Sequence, residues 1–372
     1  MGEHALRAIL ARAIERDAAG LHLKPGSPPL LRVHGRLSRL AEITALTVEE
    51  TEDFLAQMLA RLPSTRKEDE FDRTGEVDFA HVEEGLGRFR VTAYRQRGNV
   101  SLVVRPVPDG VPALEALGLP EVVASIADET DGLVLVTGPG GSGATTTLAA
   151  LVDTINRRHE RNIITIEDPI EVVHRDVRSA VNQREIGLDT ISYADALARV
   201  GRHDPDVVLV GDLPDAATVE AALAVAEAGA LVLSVVRSTY PGEALARLVG
   251  MFPAERQEAV RIALAANLRA LIVQHLLPRV DRGGRVAAVG VLLGGPELRE
   301  AVASGLDPES VHSVALAGAA RGAQSLEDVL SELISSGTIE VASALRLARD
   351  PRTLHQAPDV ARVAALLDWD VS

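Results

Sequence analysis

The spacing of hydrophobic and polar residues changes twice along this chain. At the start, Leu6, Ile9, Leu10, Ala13 and Ile14 recur at helical intervals with charged residues between them, which predicts an amphipathic helix to about residue 18. Short apolar runs at 21–23 and 30–33 predict strands. Thr47-Val-Glu-Glu50 has the form of a capping box and predicts a second helix behind it. Residues 75–81 and 88–97 alternate as half-exposed strands do, and 101–105 follows as another. Residues 1–105 therefore read as a small α+β domain.

The stretch Pro106-Val-Pro-Asp-Gly-Val-Pro112 concentrates residues that interrupt regular structure, so 106–120 is assigned as a linker. Beyond it, apolar runs at 133–136, 163–166, 207–210, 231–236 and 286–293 alternate with helical patterns at 148–155, 216–228 and 255–271. Continuously apolar strands separated by amphipathic helices predict an α/β domain over 121–372, with a mainly parallel sheet covered on both faces. Helices are expected to close the chain from about residue 296, two of them within 325–348. The last ~20 residues are expected to be loosely held.

Composition narrows the chemistry. The absence of cysteine removes disulfides, thiolate catalysis and cysteine-bound zinc. None of the ten histidines stands in an HExxH pair, so no structural metal is expected. A formal charge of −15 with only nine aromatic residues argues against a nucleic-acid surface. No apolar run approaches the ~20 residues of a membrane span, and the N-terminus is unlike a signal peptide, so a cytoplasmic protein is expected. The only lysines are Lys24 and Lys67; every other basic side chain of the Lys/Arg type is arginine.

The run at 133–137 leads into Gly138-Pro-Gly-Gly-Ser-Gly-Ala-Thr145 and then a helical pattern, which is the strand–loop–helix context of a phosphate-binding loop. Gly138, Gly140, Gly141 and Gly143 let backbone N–H groups curl about an anion, and the helix start adds the positive end of its dipole. With Ser142, Ala144, Thr145 and Thr146 they form the candidate nucleotide site for ATP. Thr145 is the hydroxyl on the magnesium side. The usual motif is GxxxxGK[ST], and the lysine position here is Ala144. At an effective dielectric of ~20 and ~4 Å, one ammonium–phosphate contact is worth about 4 kcal/mol before desolvation, so both binding and transition-state stabilisation should suffer. The alternative reading is a glycine-rich turn with no ligand.

Further motifs extend the comparison over residues 4–350. They include Leu21-His-Leu-Lys24, 28–33, Asp78-Phe-Ala80 and Gly87-Arg-Phe-Arg-Val-Thr-Ala93 before the loop. After it come Thr165-Ile-Glu-Asp-Pro-Ile-Glu171, Val181-Asn-Gln-Arg-Glu-Ile-Gly187 and Asp204-Pro-Asp-Val-Val-Leu-Val-Gly-Asp212. With these motifs the chain resembles the PilT-like retraction ATPases of type IV pili, within the type II secretion and type IV pilus ATPase superfamily.

The resemblance implies a PAS-like N-terminal domain, a RecA-like C-terminal domain and a ring of six, either homomeric or shared with an active PilT-like ATPase. It also implies twitching motility, and a location at the inner-membrane platform of a pilus machine. An acidic box falls on Glu167, Asp168 and Glu171, with Glu167 and Asp212 as the catalytic candidates. Phosphate-reaching arginines match among Arg88, Arg90, Arg97 and Arg105, whose other reading is exposed strand arginines.

Departures gather at the chemistry. Asp212 stands where the family ends its Walker B strand with glutamate, which withdraws the carboxylate by ~1.5 Å. The two positions of the histidine box read Ala230 and Arg237, Pro214 replaces an arginine, and the C-terminal retraction motif survives only as 296–303. The leading expectation is a pseudo-ATPase acting as a structural or regulatory motor subunit. The alternatives are a slow or partner-dependent ATPase and an anion-responsive binding module. Arg237 is expected either to pair with Asp212 across the site or to hold a phosphate in place of the lysine.

Overall fold

A computed structural model describes residues 2–33, 36–107, 110–305, 307–348 and 354. Residues 355–372, expected to be loosely held, and Pro108 and Asp109 of the linker lie outside the described residues. The chain divides into two compact units that are not contiguous in sequence. The first is Met1–Gly110 with Ile166–His174 and Gln183–Ser192; the second is Val111–Thr165, Arg175–Asn182 and Tyr193–Ser372. The acidic box, read from sequence as part of a domain over 121–372, thus groups with the N-terminal residues.

In the first unit, β1 (Gly20–Leu23), β2 (Leu30–Val33), β3 (Arg36–Arg39), β4 (Glu76–Glu83), β5 (Gly87–Gln96) and β6 (Asn99–Val107) form one sheet, ordered β3-β2-β1-β6-β5-β4 and antiparallel throughout. β6 runs two residues into the segment assigned as linker. Helices Gly2–Glu15 and Val48–Leu59 supply Leu6, Ile9, Leu10, Phe54 and Met58 to a core that also takes Leu21, Phe79, Phe89, Val91 and Leu102 from the strands.

The capping box forms as its sequence indicates. Glu50 N donates to Thr47 Oγ1 at 3.1 Å and Thr47 N donates to Glu50 Oε2 at 2.8 Å. Two elements lacked a pattern. β3 is exposed at all four positions, and the helix Arg66–Thr74 buries only Lys67 and Phe71.

The second sheet contains β7 (Gly132–Thr137), β8 (Asn162–Glu167), β9 (Ala180–Glu185), β10 (Val207–Val210), β11 (Leu231–Val236), β12 (Leu268–Pro278) and β13 (Arg285–Leu293), ordered β13-β12-β7-β11-β10-β8-β9. β7 is parallel to both β11 and β12, β10 is parallel to β11, and β12 meets β13 antiparallel. The mainly parallel α/β reading holds.

β7 is buried along its whole length. Val134 and Val136 pack in one cluster with Leu148, Leu151 and Val152 of the helix Ala144–Arg158. Leu133 and Leu135 alternate with them in the pleat and are equally buried, so both faces are covered.

One element is a correction. The helical pattern read to residue 271 ends at Asn267, and Leu268 opens β12. The run Ala-Leu-Ile-Val from 270 is apolar on every side, so periodicity could not separate a buried helix end from a central strand. Pairing with β7 and β13 decides it.

Candidate nucleotide site and acidic segment

The glycine loop follows β7 directly, and its conformation needs glycine at defined points. Gly141 and Gly143 have φ of +82° and +88°, where a Cβ would be strained. At Gly138 a Cβ would lie 2.4 Å from the Gln274 carbonyl oxygen and 2.5 Å from Ser142 Oγ, so only glycine fits.

Gln274 of β12, 3% exposed, ties the loop together. Its Nε2 donates to the Ser142 carbonyl at 2.9 Å, and its Oε1 accepts from Thr147 Oγ1 at 2.8 Å. Ser142 N donates to the Pro139 carbonyl at 3.0 Å. The helix Ala144–Arg158 begins at Gly143 without a side-chain cap. Ala144 N donates to Ser142 Oγ at 3.4 Å, which leaves the amides of Thr145 and Thr146 to act in the manner of a phosphate cradle, and both threonines are exposed.

Ala144 closes that cradle differently from a lysine. It is 6% exposed and belongs to the cluster of Leu148, Val134 and Val136. The residue in the lysine position contributes a methyl group to the core and no charge to the loop.

At the end of β10, Asp212 Oδ1 accepts from Leu213 N at 2.8 Å. Arg237, following β11, places Nε 3.9 Å from Asp212 Oδ2. The two expected partners do meet. The contact is long, however, and 68% of the Arg237 side chain is exposed, so it is worth at most ~1 kcal/mol. Ala230 is buried at the entry to β11.

The acidic segment is built in the first unit. Arg88 and Arg90 are two apart on β5 and share the face opposite buried Phe89. Arg88 donates Nε to the Ile170 carbonyl at 2.9 Å and Nη2 to Glu185 Oε2 at 3.1 Å. Arg90 pairs with Glu171. Gln183 Nε2 donates to Glu167 Oε1 at 3.0 Å and to the Val172 carbonyl at 2.8 Å.

Lys67 is 2% exposed, and its Nζ lies 3.3 Å from Glu70 Oε2 and 3.6 Å from Asp168 Oδ1. Burial pushes the Asp168 carboxyl above the usual range; Lys67 opposes that rise, while Glu70 and Asp78 add to it. About a third of the Asp168 side chain remains accessible, so water softens the effect. Burial likewise raises Glu185, against the Ile170 N–H, Arg88 and Lys67. Each box carboxylate, Glu167, Asp168 and Glu171, thus has a nitrogen partner in the same unit.

Known proteins match most of this chain. The family described as type II/IV secretion system protein covers residues 3–349. The type IV pilus retractation ATPase PilT of Pseudomonas aeruginosa is 36% identical over 343 residues, which is 92% of this chain and 98% of that protein. The chain belongs to the type II/IV secretion system protein family. Within it, the likeness is to pilus motors. The twitching motility protein of Neisseria gonorrhoeae is 36% identical over 88% of this chain and 86% of its own length. The crystal structure of the pilus retraction motor PilT with bound ADP superposes with a TM-score of 0.82 at 37% identity, covering 95% of this chain and 98% of that one.

Against this family background, the four arginines divide into two kinds. Arg88 and Arg90 are engaged with the acidic segments, whereas Arg97 sits exposed at the β5–β6 turn with φ +52° and Arg105 is exposed on β6. The reading of residues missed Lys67 and Gln274 as working parts. Lys67 gave a signal in being one of only two lysines. Gln274 gave none, because the helical pattern was read to residue 271 and the rest of its strand was assigned to no element.

Proposed function

We propose that this chain is a catalytically impaired PilT-like motor protein, a pseudo-ATPase serving a type IV pilus machine as a structural or regulatory subunit. In this reading it enters a six-membered ring, with copies of itself or with an active PilT-like ATPase, on the cytoplasmic side of an inner-membrane platform protein. The observation that carries the reading is Ala144. Its methyl group packs in the core, no lysine follows residue 67, and Lys67 itself is held by Glu70 and Asp168.

The shaped loop fits phosphate, with the amides of Gly140, Gly141, Gly143 and Thr145 as donors, and Thr145 would face the magnesium, which neutralises phosphate charge when bound. The acidic box fits a metal poorly, since its carboxylates already have cationic or amide partners.

Calorimetric titration with Mg-ATP tests this, with the natural chain beside Ala144→Lys. Restoring the ammonium should tighten binding at least about tenfold, or ~1.4 kcal/mol. Equal affinity in both, or steady turnover by the natural chain, overturns the reading.

A second reading, a slow or partner-dependent ATPase, is favoured by Arg237. Its guanidinium is mostly exposed and only loosely held at 3.9 Å, free to meet a phosphate. In that case Arg237→Ala weakens nucleotide binding, and an active motor subunit added to the natural chain raises turnover above the sum of the two.

A further inference from the structure

The charges around Lys67 do more than decorate the first unit. Lys67 and Glu185 are buried and their partners partly so, they join segments far apart in sequence, and no catalytic step proposed for this chain uses them. Lys67 lies on the helix Arg66–Thr74 with its partner Glu70, Arg88 and Arg90 on β5, and their other partners on Ile166–His174 and Gln183–Ser192. Arg66 of the same helix also donates Nη1 to the Leu188 carbonyl at 3.4 Å.

The fit around Lys67 is close. A Cβ at Gly187 would stand 2.5 Å from Lys67 Cε and 3.0 Å from Nζ, and Gly187 has φ +84°. The lysine stem therefore passes directly over a backbone that has been left bare for it. Beyond the stem, Glu185 Oε1 is buried without a hydrogen-bond partner, so its charge is stabilised through Oε2, which accepts from Ile170 N and Arg88 Nη2, and by Lys67 nearby.

We propose that Lys67 is the resident cation of the acidic box. It neutralises Asp168 from within the chain and, with Arg88 and Arg90, pins the segments 166–174 and 183–192 in one arrangement whatever the nucleotide state. Lys67 is a positioning residue here. It touches the box carboxylate directly and acts on 183–192 by packing over Gly187.

The physical argument is one of charge balance. Carboxylates drawn together out of water repel one another and favour leaving. A buried ammonium between Glu70 and Asp168, and guanidinium groups on Glu171 and Glu185, remove that drive without a metal. The inference rests on the proposed function only in taking a nucleotide-borne metal to be unnecessary for holding the box.

Amide hydrogen exchange of the full-length chain tests it, followed on peptides from 166–174 and 183–192, with β7 and β11 as internal references. In the natural protein, saturating Mg-ATP should leave exchange of both segments within about twofold. Lys67→Arg, which keeps the charge, should stay within about threefold, while Lys67→Met should speed both segments at least about tenfold and spare the references. Gly187→Ala, which displaces the stem, should speed 183–192 comparably.

Unchanged exchange in Lys67→Met overturns the proposal, as does Mg-ATP slowing the natural segments more than about tenfold. If Lys67→Met loosens the whole chain, Lys67→Met/Asp168→Asn decides. Removing the charge with its partner should return the segments to within about threefold of natural, and failure to do so counts against the proposal. Turnover measured in parallel separates the two readings. A chain that hydrolyses ATP yet needs Lys67 for segment protection keeps this inference and loses the pseudo-ATPase.

Discussion

The glycine loop of the second unit keeps its shape with backbone groups and one neutral side chain. The acidic segments of the first unit keep theirs with charges. Around the loop, Gln274 bonds Ser142 and Thr147 while Ala144 fills the core. Around the acidic box, Lys67, Arg88 and Arg90 meet Asp168, Glu185 and Glu171. A phosphate loop without its lysine is thus still a folded loop, because backbone geometry and not charge determines its form. An acidic segment without its cations would be a cluster of mutually repelling carboxylates. Absence of a charge is structurally cheap at the first site and costly at the second.

Substitutions in the second unit can test the loop's side of that contrast. The largest effect is expected at Gly138→Ala, whose Cβ would strike backbone oxygen at 2.4 Å. It should lower stability of the second unit by about 3 kcal/mol or more in urea unfolding. Gly140→Ala, with nothing within 4 Å of its Cβ, should change it by less than about 1 kcal/mol. If both are mild, the loop is not tightly shaped.

Next comes Gln274→Leu, which strands the Ser142 carbonyl and the Thr147 hydroxyl. It should cost about 1–3 kcal/mol and increase loop exchange. A neutral result would mean that the loop stands without its bracket. The smallest effect is expected at Arg237→Ala. Its exposed contact with Asp212 should contribute no more than about 0.5–1 kcal/mol to folding, and a larger loss would mark that pair as structural.

Much of this was legible in the residues themselves. Alternation gave β4, β5 and β6, continuous apolar runs gave β7, β8, β10, β11 and β13, and Thr47 with Glu50 gave the cap. These are local signals, readable because one face or both faces of each element must be apolar. β12 was lost for a physical reason: a segment buried on all sides has no polar face to betray its period. The helix Arg66–Thr74 was lost for the opposite reason, since only Lys67 and Phe71 of its nine residues turn inward.

The glycine loop, its missing lysine and the family pattern were determined by sequence alone, because each depends on residue type at fixed spacing along one stretch of chain. Tertiary structure decided which charges meet. Lys67 and Asp168 are 101 positions apart, and Gln274 and Ser142 are 132 apart. Charge acts through space, so a lysine that appeared irrelevant from its position along the chain proved to be the cation beside the acidic box.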